Sequence, residues 1–410
     1  MSDTEEITAF LAKRKIRKVL VAFDKFKGCM DAHKACEIAC DALFNRFMDV
    51  QATVCPLTDG GEGFCKILTE GGGGKLVEVR VLDARHSEKS AHFGMVPLEN
   101  LPKGCIEMLN LPEGAQTLAI VEMAQGSGLV DIPDDLRDPW EASSIGTGLL
   151  LREAANIGAD AILLGIGGSA TNDLGLGALE ALGTEFFDEE GLSLPKVTPK
   201  LFQKIVEVDL QGNQLPLPPL RIACDVQNPL LGPEGATAVF ATQKGLPQDG
   251  IGEMESALSL AADLLCEATG TASGLLEVPG AGAAGGLGLG LKLAYDAEFL
   301  PGFGLYAQWF GLDETLSDCD LVITGEGNFD ESSLHGKAPW ALIEAAGEAG
   351  VPVQLYAGRV ADEVREVLPG FVNAHSISPD GLGIKAALEQ GQNLLKVSLF
   401  VNMSRVSKPA

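Results

Sequence analysis

The sequence has 410 residues, enough for two or three domains that each bury a substantial core without disulfide or metal cross-links. Its 30 Lys and Arg against 57 Asp and Glu give a formal charge of −27, which argues against a nucleic-acid partner and an anionic membrane surface. Nine cysteines without a CxxC motif, together with the lack of a signal peptide or a long apolar span, predict a cytoplasmic protein with reduced thiols.

Strands and helices are expected to alternate at both ends of the chain. Residues 17–23 form a continuous apolar run typical of a buried strand, and Asp31 is placed to cap the helix that follows. The next strand is predicted over residues 50–57. After residue 281 the alternation returns, with helices over 287–297 and 337–346 and strands over 321–324 and 353–357.

The middle of the chain has a different pattern. Short strands, prolines and glycines over residues 71–118 indicate a partly antiparallel region. A helix over 147–157, a strand over 161–166 and a helix over 172–182 follow. We therefore predict two α/β domains. The first is a discontinuous Rossmann- or flavodoxin-like domain, residues 1–75 and 285–410 with an extension over about residues 1–15, and the second is an inserted mixed α/β domain, residues 76–284.

Five apolar runs end in glycine beside an acidic or small polar residue: VLVAFDKFKG, ATVCPLTDGGEG, AILLGIGGSATND, VPGAGAAGG and LVITGEGNFD. Glycines after a buried strand let backbone N–H groups approach a ligand anion. The pattern is typical of phosphate-handling α/β enzymes and predicts a ligand at the carboxyl edge of a mostly parallel sheet.

The first two turns carry charged candidates. Asp24, Lys25 and Lys27 follow the first strand and precede a helix N-terminus, which favours an anion, and Lys27 is a candidate for holding a transferring phosphate. The alternative is that both lysines are ordinary exposed charges. Asp59 and Glu62 lie in a tight glycine turn, where they are candidates for binding substrate hydroxyls or for a general base, or else belong to a structural turn.

The GIGGSATND turn is a candidate phosphate site on backbone amides, with Asp173 near a metal or nucleophile. Helix capping alone would select the same residue types. The candidates for binding a cofactor in this turn are Gly167, Gly168, Ser169, Thr171 and Asn172.

A GxGxxG pattern spans Gly280, Gly282 and Gly285, but Pro279 stands where a strand should lead in, so it is a weak dinucleotide fingerprint. Close approach of the backbone to a nucleotide, or close helix packing, explains these glycines better.

Glu326 and Asp330 follow a strand and provide oxygen ligands suited to Mg²⁺ held together with substrate phosphates, with Lys337 opening the next helix. Asp225, Asn228 and Lys244 are further candidates. The sequence contains neither a GxSxG elbow nor a Walker A motif, so any phosphoryl transfer proceeds without a P-loop.

In their order and spacing, several motifs together resemble those of the type I glycerate kinases over almost the whole chain after about residue 15. These motifs are AFDKFKG, DGGEG, VEMAQGSGL, SSIGTG, GIGGSATND, ACDVQNPLLGPEGA, QKG, VPGAGAAGG, ITGEGNFD and HGKAP. The resemblance implies ATP- and Mg²⁺-dependent phosphorylation of D-glycerate, typically to 2-phosphoglycerate, in the cleft of a discontinuous two-domain α/β fold. The expected partners are these small molecules, with no nucleic acid or membrane, in a monomer or homodimer.

Chemistry then suggests a role for each candidate. Lys27, with Lys244 or Lys337, would neutralise phosphate or the substrate carboxylate. Asp59 or Asp173 would accept the hydroxyl proton. Substrate would contact Asp24, Lys25, Glu62, Lys244 and Lys337, and the metal would be held by Glu326 and Asp330, with Asp225 as a further candidate.

Seven residues depart from the family pattern, three of them Phe23 in place of Pro, Cys29 in place of Ser and Ser332 in place of Gln. Lys25 and Arg359 stand where Ser is common, Asn328 stands where Arg is expected, and Ile145 stands where Arg or Tyr is common. Two other functions are considered, a nicotinamide-dependent hydroxy-acid dehydrogenase and a catalytically inactive metabolite-binding homologue.

Overall fold

The computed structural model describes residues 16–47, 49–58, 60–210, 215–334 and 336–406. The strands are, in chain order, β1 (Lys18–Phe23), β2 (Gln51–Val54), β3 (Lys75–Leu82), β4 (Glu88–Pro97), β5 (Thr117–Glu122), β6 (Ala161–Gly165), β7 (Glu185–Phe187), β8 (Glu207–Asp209), β9 (Leu220–Ala223), β10 (Glu298–Leu300), β11 (Leu321–Gly325), β12 (Asn328–Phe329), β13 (Val353–Ala357), β14 (Arg359–Val360) and β15 (Val372–Ser376). The helices are α1 (Ala32–Arg46), α2 (Phe64–Gly71), α3 (Lys103–Leu109), α4 (Met123–Ser127), α5 (Ile145–Asn156), α6 (Leu176–Ala181), α7 (Ala236–Phe240), α8 (Ile251–Thr269), α9 (Leu287–Tyr295), α10 (Gly302–Trp309), α11 (Leu312–Ser317), α12 (Ala338–Glu348), α13 (Asp362–Arg365) and α14 (Ile384–Val406).

The chain divides into two compact units. The first unit is discontinuous and contains Met1–Asp59 and Phe310–Ala410, and the second contains Gly60–Trp309. These divisions differ from the predicted boundaries after residues 75 and 284. The difference has a packing cause, because α2 contacts β4 and β5 while α9 contacts α6 and α8, so both helices belong to the second unit.

The first unit is built on a five-stranded sheet in the order β2-β1-β11-β13-β15. All neighbouring strands are parallel, and Phe23 lies opposite Gly325 at the carboxyl end of the central pair. Counted within this unit, the order is 2-1-3-4-5, the flavodoxin-like doubly wound arrangement. The strand order therefore reverses between β1 and β11, and the carboxyl ends of these two strands form the topological switch point.

Apolar side chains on one face of this sheet form a core with residues of α1 and α14, including Phe23, Ile323 and Leu395. Asp31 caps α1 as predicted, because its carboxylate accepts a hydrogen bond of 2.7 Å from the Lys34 backbone N–H. Across the described part of the chain, every helix is too short or too polar to span a bilayer.

The second unit contains a six-stranded mixed sheet in the order β3-β4-β5-β6-β9-β10. The pairs β3 with β4 and β4 with β5 are antiparallel, and the remaining pairs are parallel. The predicted partly antiparallel region is thereby confirmed.

One predicted helix begins later than expected. The prediction for residues 172–182 started at Asn172, whereas α6 spans Leu176–Ala181 and follows Gly175, whose φ is +75°. Asn172 and Asp173 precede the helix in a turn. The polar residues that suggested a helix start use their side chains in contacts described below.

Candidate active site

Two carboxylates stand at the switch point of the first unit. Asp24 follows β1, and its backbone N–H donates to the Gly325 carbonyl at 2.9 Å, so the ladder between β1 and β11 continues one residue past the strands. Glu326 is the next residue along from Gly325. Both side chains are buried, with 3% of Asp24 and 6% of Glu326 exposed. The topology thus brings together two acidic residues that are far apart in sequence.

Each of these carboxylates has a lysine beside it. The Lys25 ammonium lies 3.6 Å from Asp24 Oδ1, and the Lys337 ammonium lies 3.5 Å from Glu326 Oε2. Lys337 precedes α12, and its ammonium also donates to the Ser333 hydroxyl at 3.3 Å. The switch point therefore holds two buried carboxylates and two partly buried cations, which together can meet both a metal ion and phosphate oxygens.

Lys27 lies on an exposed turn just beyond this cluster. The backbone groups of Phe26 and Met30 pair with each other across the turn, with distances of 2.9 and 3.0 Å, and Gly28 has a φ of +73°. The turn presents the Lys27 side chain to solvent. Its exposure leaves the ammonium accessible to an anion.

Asp330 is engaged in its own turn. Its carboxylate accepts hydrogen bonds from the backbone N–H of Ser332 at 3.0 Å, from the Ser332 hydroxyl and from the Asn328 side-chain amide. These contacts shape the loop between β12 and α12. Among the described residues, no group of three or more His, Cys, Asp or Glu side chains is arranged to hold a metal ion.

In the second unit, the GIGGSATND turn packs against the turn that contains Gly60 and Gly61. The Gly167 N–H donates to the Gly60 carbonyl at 3.0 Å, and a Cβ on Gly167 would lie 2.6 Å from the Gly61 nitrogen. Gly168 is exposed with a φ of +75°, and Ser169 bridges to Gly128. Glycine at 167 is therefore required by close packing of two backbones, and Gly168 presents bare backbone to solvent.

Asp173 is fully buried and ties together the starts of two helices. Its Oδ2 accepts hydrogen bonds from the Ser144 backbone N–H and from the Ser144 hydroxyl, both at 2.7 Å, just before α5. Its two oxygens also accept from the N–H groups of Gly175 at 3.1 Å and Gly177 at 3.3 Å, at the start of α6. Burial raises the pKa of the carboxyl, and these hydrogen bonds oppose that rise.

Lys244 is the nearby buried cation. Only 2% of the residue is exposed, and its ammonium donates to the Thr171 carbonyl at 2.6 Å. Burial lowers the pKa of Lys244 to about 7, and the charge of Asp173 acts in the opposite direction. Lys244 is placed to hold the Thr171 to Asp173 segment from inside the unit.

Thr171 and Asn172 are both fully buried. The Asn172 side-chain amide donates to the Thr237 hydroxyl at 3.0 Å, whereas Asn172 Oδ1 and Thr171 Oγ1 have no hydrogen-bond partner among the residues that the structure describes. The predicted cofactor residues of this turn thus divide into a buried part and an exposed part at Gly168.

The glycines of the GxGxxG pattern pack against protein. A Cβ on Gly282 would lie 2.1 Å from the Pro229 carbonyl oxygen, and one on Gly285 would lie 2.3 Å from the Thr171 carbonyl oxygen. Gly280 has a φ of +88° and approaches the Val226 carbonyl. No strand leads into this segment, so close packing explains these positions without a dinucleotide.

The other predicted site residues, Asp225, Glu62 and Asp59, are not among the contacts described above. Asp225 Oδ2 accepts from the Phe303 N–H at 2.8 Å at the start of α10, and Glu62 is exposed. Asp59 lies outside the described residues. Glu122, which the sequence did not single out, accepts from the N–H groups of Gly63 and Cys65 at 3.1 and 3.0 Å where α2 begins.

Ser144 is the other residue that sequence reasoning missed as a site element. The SSIGTG motif places two serines before a predicted helix, which is an N-cap signal. That signal pointed to the correct segment. It did not identify Asp173 as the partner, because the two residues are 29 positions apart.

The chain is similar to glycerate kinases over nearly its full length. A model of the glycerate kinase family matches residues 19–404. Glycerate kinase of Halalkalibacterium halodurans is 35% identical over 382 residues, 92% of this chain and 95% of the relative. Glycerate 2-kinase of Escherichia coli K12 is 34% identical over 362 residues, 88% of each chain. The crystal structure of a Salmonella typhimurium LT2 protein assigned as glycerate kinase 2 superposes with a TM-score of 0.72 at 30% identity, covering 95% of this chain and 98% of that chain.

Proposed function

The chain belongs to the glycerate kinase family and is therefore a phosphotransferase, and we propose that it transfers the γ-phosphoryl group of ATP to D-glycerate. We further propose that the product is 2-phosphoglycerate, the regiochemistry that the name of the Escherichia coli relative describes for that protein.

The observation that carries the proposal is the charged cluster at the switch point of the first unit. Ligands of doubly wound sheets bind outside the carboxyl ends of the strands at the switch point. Asp24 and Lys25 follow β1 at this point, and Glu326 follows β11 with Lys337 beside it. Phosphoryl transfer depends mainly on positioning and charge neutralisation, which this set of charges can supply.

We assign the cationic roles by exposure. The exposed ammonium of Lys27 would contact a phosphate or the substrate carboxylate, and Lys337 would stabilise charge that develops on the transferring group. Lys244 would act from inside the second unit by holding the Thr171 carbonyl. The exposed backbone at Gly168 would approach phosphate oxygens.

The general base is assigned between two aspartates. Asp173 is fully buried, and both its oxygens already accept hydrogen bonds from Ser144 and the α6 turn, which suits a positioning residue. We therefore propose Asp59 as the group that accepts the hydroxyl proton.

Mg²⁺ fits the donor set of the first unit. Mg²⁺ in phosphoryl-transfer sites is held by one or two carboxylates together with substrate phosphates, and the switch point supplies buried carboxylate oxygens with neighbouring cations. The chemistry supplied by bound Mg²⁺ would be neutralisation of phosphate charge. Glu326, which directly follows β11, is the proposed carboxylate.

The test is a coupled assay of ADP release with D-glycerate, ATP and Mg²⁺, run beside an NADH absorbance assay with hydroxy acids. We expect glycerate-dependent ADP release and no NADH signal. Lys27→Ala should lower kcat by about 10² or more, the scale of losing a group that stabilises transition-state charge. The matched control is Lys34→Ala, which removes a partly exposed lysine of the same unit that pairs with Glu37. Equal activity of the two variants would show that Lys27 has no role in the reaction. Absence of ADP release from the unaltered protein would refute the proposed phosphorylation of glycerate.

A further inference from the structure

We propose that Asp24 is the second carboxylate of the metal site, so that Asp24 and Glu326, and not Asp330, hold the divalent cation. This inference rests on the proposed kinase function and deepens it. The sequence pattern favoured Glu326 with Asp330 because the two lie in one motif. The fold instead brings Glu326 beside a carboxylate from the neighbouring strand.

The register of the sheet supports the pairing of Asp24 with Glu326. Phe23 is the partner of Gly325, and Asp24 and Glu326 each follow by one residue. The Asp24 N–H to Gly325 carbonyl bond of 2.9 Å and the Gly358 N–H to Glu326 carbonyl bond of 3.1 Å continue both ladders past the strand ends. Since equivalent positions of paired parallel strands project to the same face, the two carboxylates lie side by side on one face.

The charges around Asp24 and Glu326 also support a metal site formed by these two residues. Two buried carboxylates in adjacent positions repel each other, and nearby positive charge offsets this repulsion. Lys25 and Lys337 each approach one of the carboxylates, at 3.6 and 3.5 Å. Both distances exceed that of a close hydrogen bond, and both ammonium groups place positive charge where phosphate oxygens would lie when a divalent cation is bound beside the carboxylates.

A third observation points to a ligand at this position. Thr324 lies two residues before Glu326, on the same face of β11, and is fully buried. Its hydroxyl has no hydrogen-bond partner among the residues that the structure describes. An unsatisfied buried oxygen on the same face of the sheet as the carboxylate pair is the kind of group that a metal-bound water would satisfy.

Asp330 lacks these features. Its carboxylate is only partly buried, and Ser332 and Asn328 already donate to it from the same turn. Those bonds explain why an acid is present at position 330 without a metal.

The experiment measures Mn²⁺ binding by electron paramagnetic resonance, with Mn²⁺ alone and with Mn²⁺ plus ADP, for the full-length protein and for Asp24→Asn and Asp330→Asn. We expect Asp24→Asn to weaken Mn²⁺ binding by about tenfold or more, the scale seen when a metal site loses a supporting group, and Asp330→Asn to leave it within about twofold. Weaker binding in Asp330→Asn alone, or equal binding in all three proteins, would overturn the proposal.

A second measurement covers the case in which Asp24→Asn does not fold. In the unaltered protein, Fe²⁺ with ascorbate and peroxide cleaves the backbone near a bound divalent ion, and mass spectrometry locates the cuts. Cuts within residues 23–25 as well as 325–327 support the proposal, and cuts confined to residues 328–333 refute it. Failure of the glycerate kinase function is recognised separately, as absence of glycerate-dependent ADP release while Mn²⁺ binding in the unaltered protein persists.

Discussion

Asn328 and Arg359 are register partners in the two-stranded parallel sheet that β12 forms with β14, just beyond the carboxyl ends of β11 and β13. Both residues are exposed. Neighbouring strands lie about 4.8 Å apart, so the Arg359 backbone is next to the position where the family resemblance expects Arg. A positive charge absent from position 328 is thus present on the adjacent strand.

We predict that Arg359 takes over the role of the arginine that the family pattern has at position 328. Arg359→Ser should raise KM for glycerate or ATP by about tenfold, the scale of one charge-assisted hydrogen bond. Adding Asn328→Arg should restore most of that loss, because contacting neighbours couple in a double-mutant cycle. Steady-state kinetics of the two single variants and the double variant measure the coupling. Purely additive effects of the two substitutions on KM would show that positions 328 and 359 act independently.

Asp173→Asn should destabilise the second unit. The substitution places a donor where the Ser144 N–H and hydroxyl now meet an acceptor oxygen, and a buried unsatisfied group costs about 1–3 kcal/mol. Urea unfolding measures the loss, with the exposed Asp249→Asn as the control in the same unit. Unchanged stability together with a large loss of kcat would instead support the original interpretation of Asp173 as the catalytic base.

Stability should depend on pH through Lys244. Its pKa is near 7 in the folded protein and near the ordinary 10.5 in the unfolded chain, so the unfolded state binds more protons between these values. The free energy of unfolding contributed by this residue therefore rises with pH from about 7 to about 10.5, by at most about 1.4 kcal/mol per pH unit.

The measurement is urea unfolding of the unaltered protein and of Lys244→Met across this pH range. The difference between them cancels the contributions of cysteines and other groups common to both. As pH increases, the free energy of unfolding of the unaltered protein should rise relative to that of Lys244→Met. A difference that is flat with pH would mean that Lys244 stays charged when buried.

Gly282→Ala should be destabilising without involving any cofactor. A Cβ at this position would lie 2.1 Å from the Pro229 carbonyl oxygen, which belongs to the backbone and cannot move aside cheaply. Gly252→Ala is the control, since nothing lies within 4 Å of its Cβ and alanine favours the helix α8 by about 1 kcal/mol. Thermal unfolding compares the two, and equal melting temperatures would contradict the packing explanation.

The strands and their order of appearance were predictable because buried parallel strands need continuous apolar runs. The prediction for residues 353–357 matches β13 in full, and that for residues 17–23 is one residue longer than β1. The placement of Asp24, Lys25 and Glu326 at the carboxyl edge of the sheet was also predictable, because glycine turns after such runs mark that edge, whereas their roles stay predictions.

The partners of these residues could not be predicted, because they depend on contacts between distant segments. The adjacency of Asp24 and Glu326 requires knowing that β1 pairs with β11. Asn172 and Asp173 are residue types typical of a helix start. Asp173 instead lies before α6, where its carboxylate accepts hydrogen bonds from the Gly177 N–H and from the distant Ser144 N–H. Local propensity identifies such polar residues but leaves open which donors they meet.

The position of β1 in its sheet has a consequence for synthesis of the chain. Val19 emerges early, but its partner Leu321 on β11 follows only after the whole second unit has been translated. Until then β1 can pair only with β2 on one side, and its other edge remains exposed to chaperones or to other nascent chains. The second unit is contiguous and its sheet is complete once β10 is made, so we expect it to fold first and the switch point to form late in synthesis.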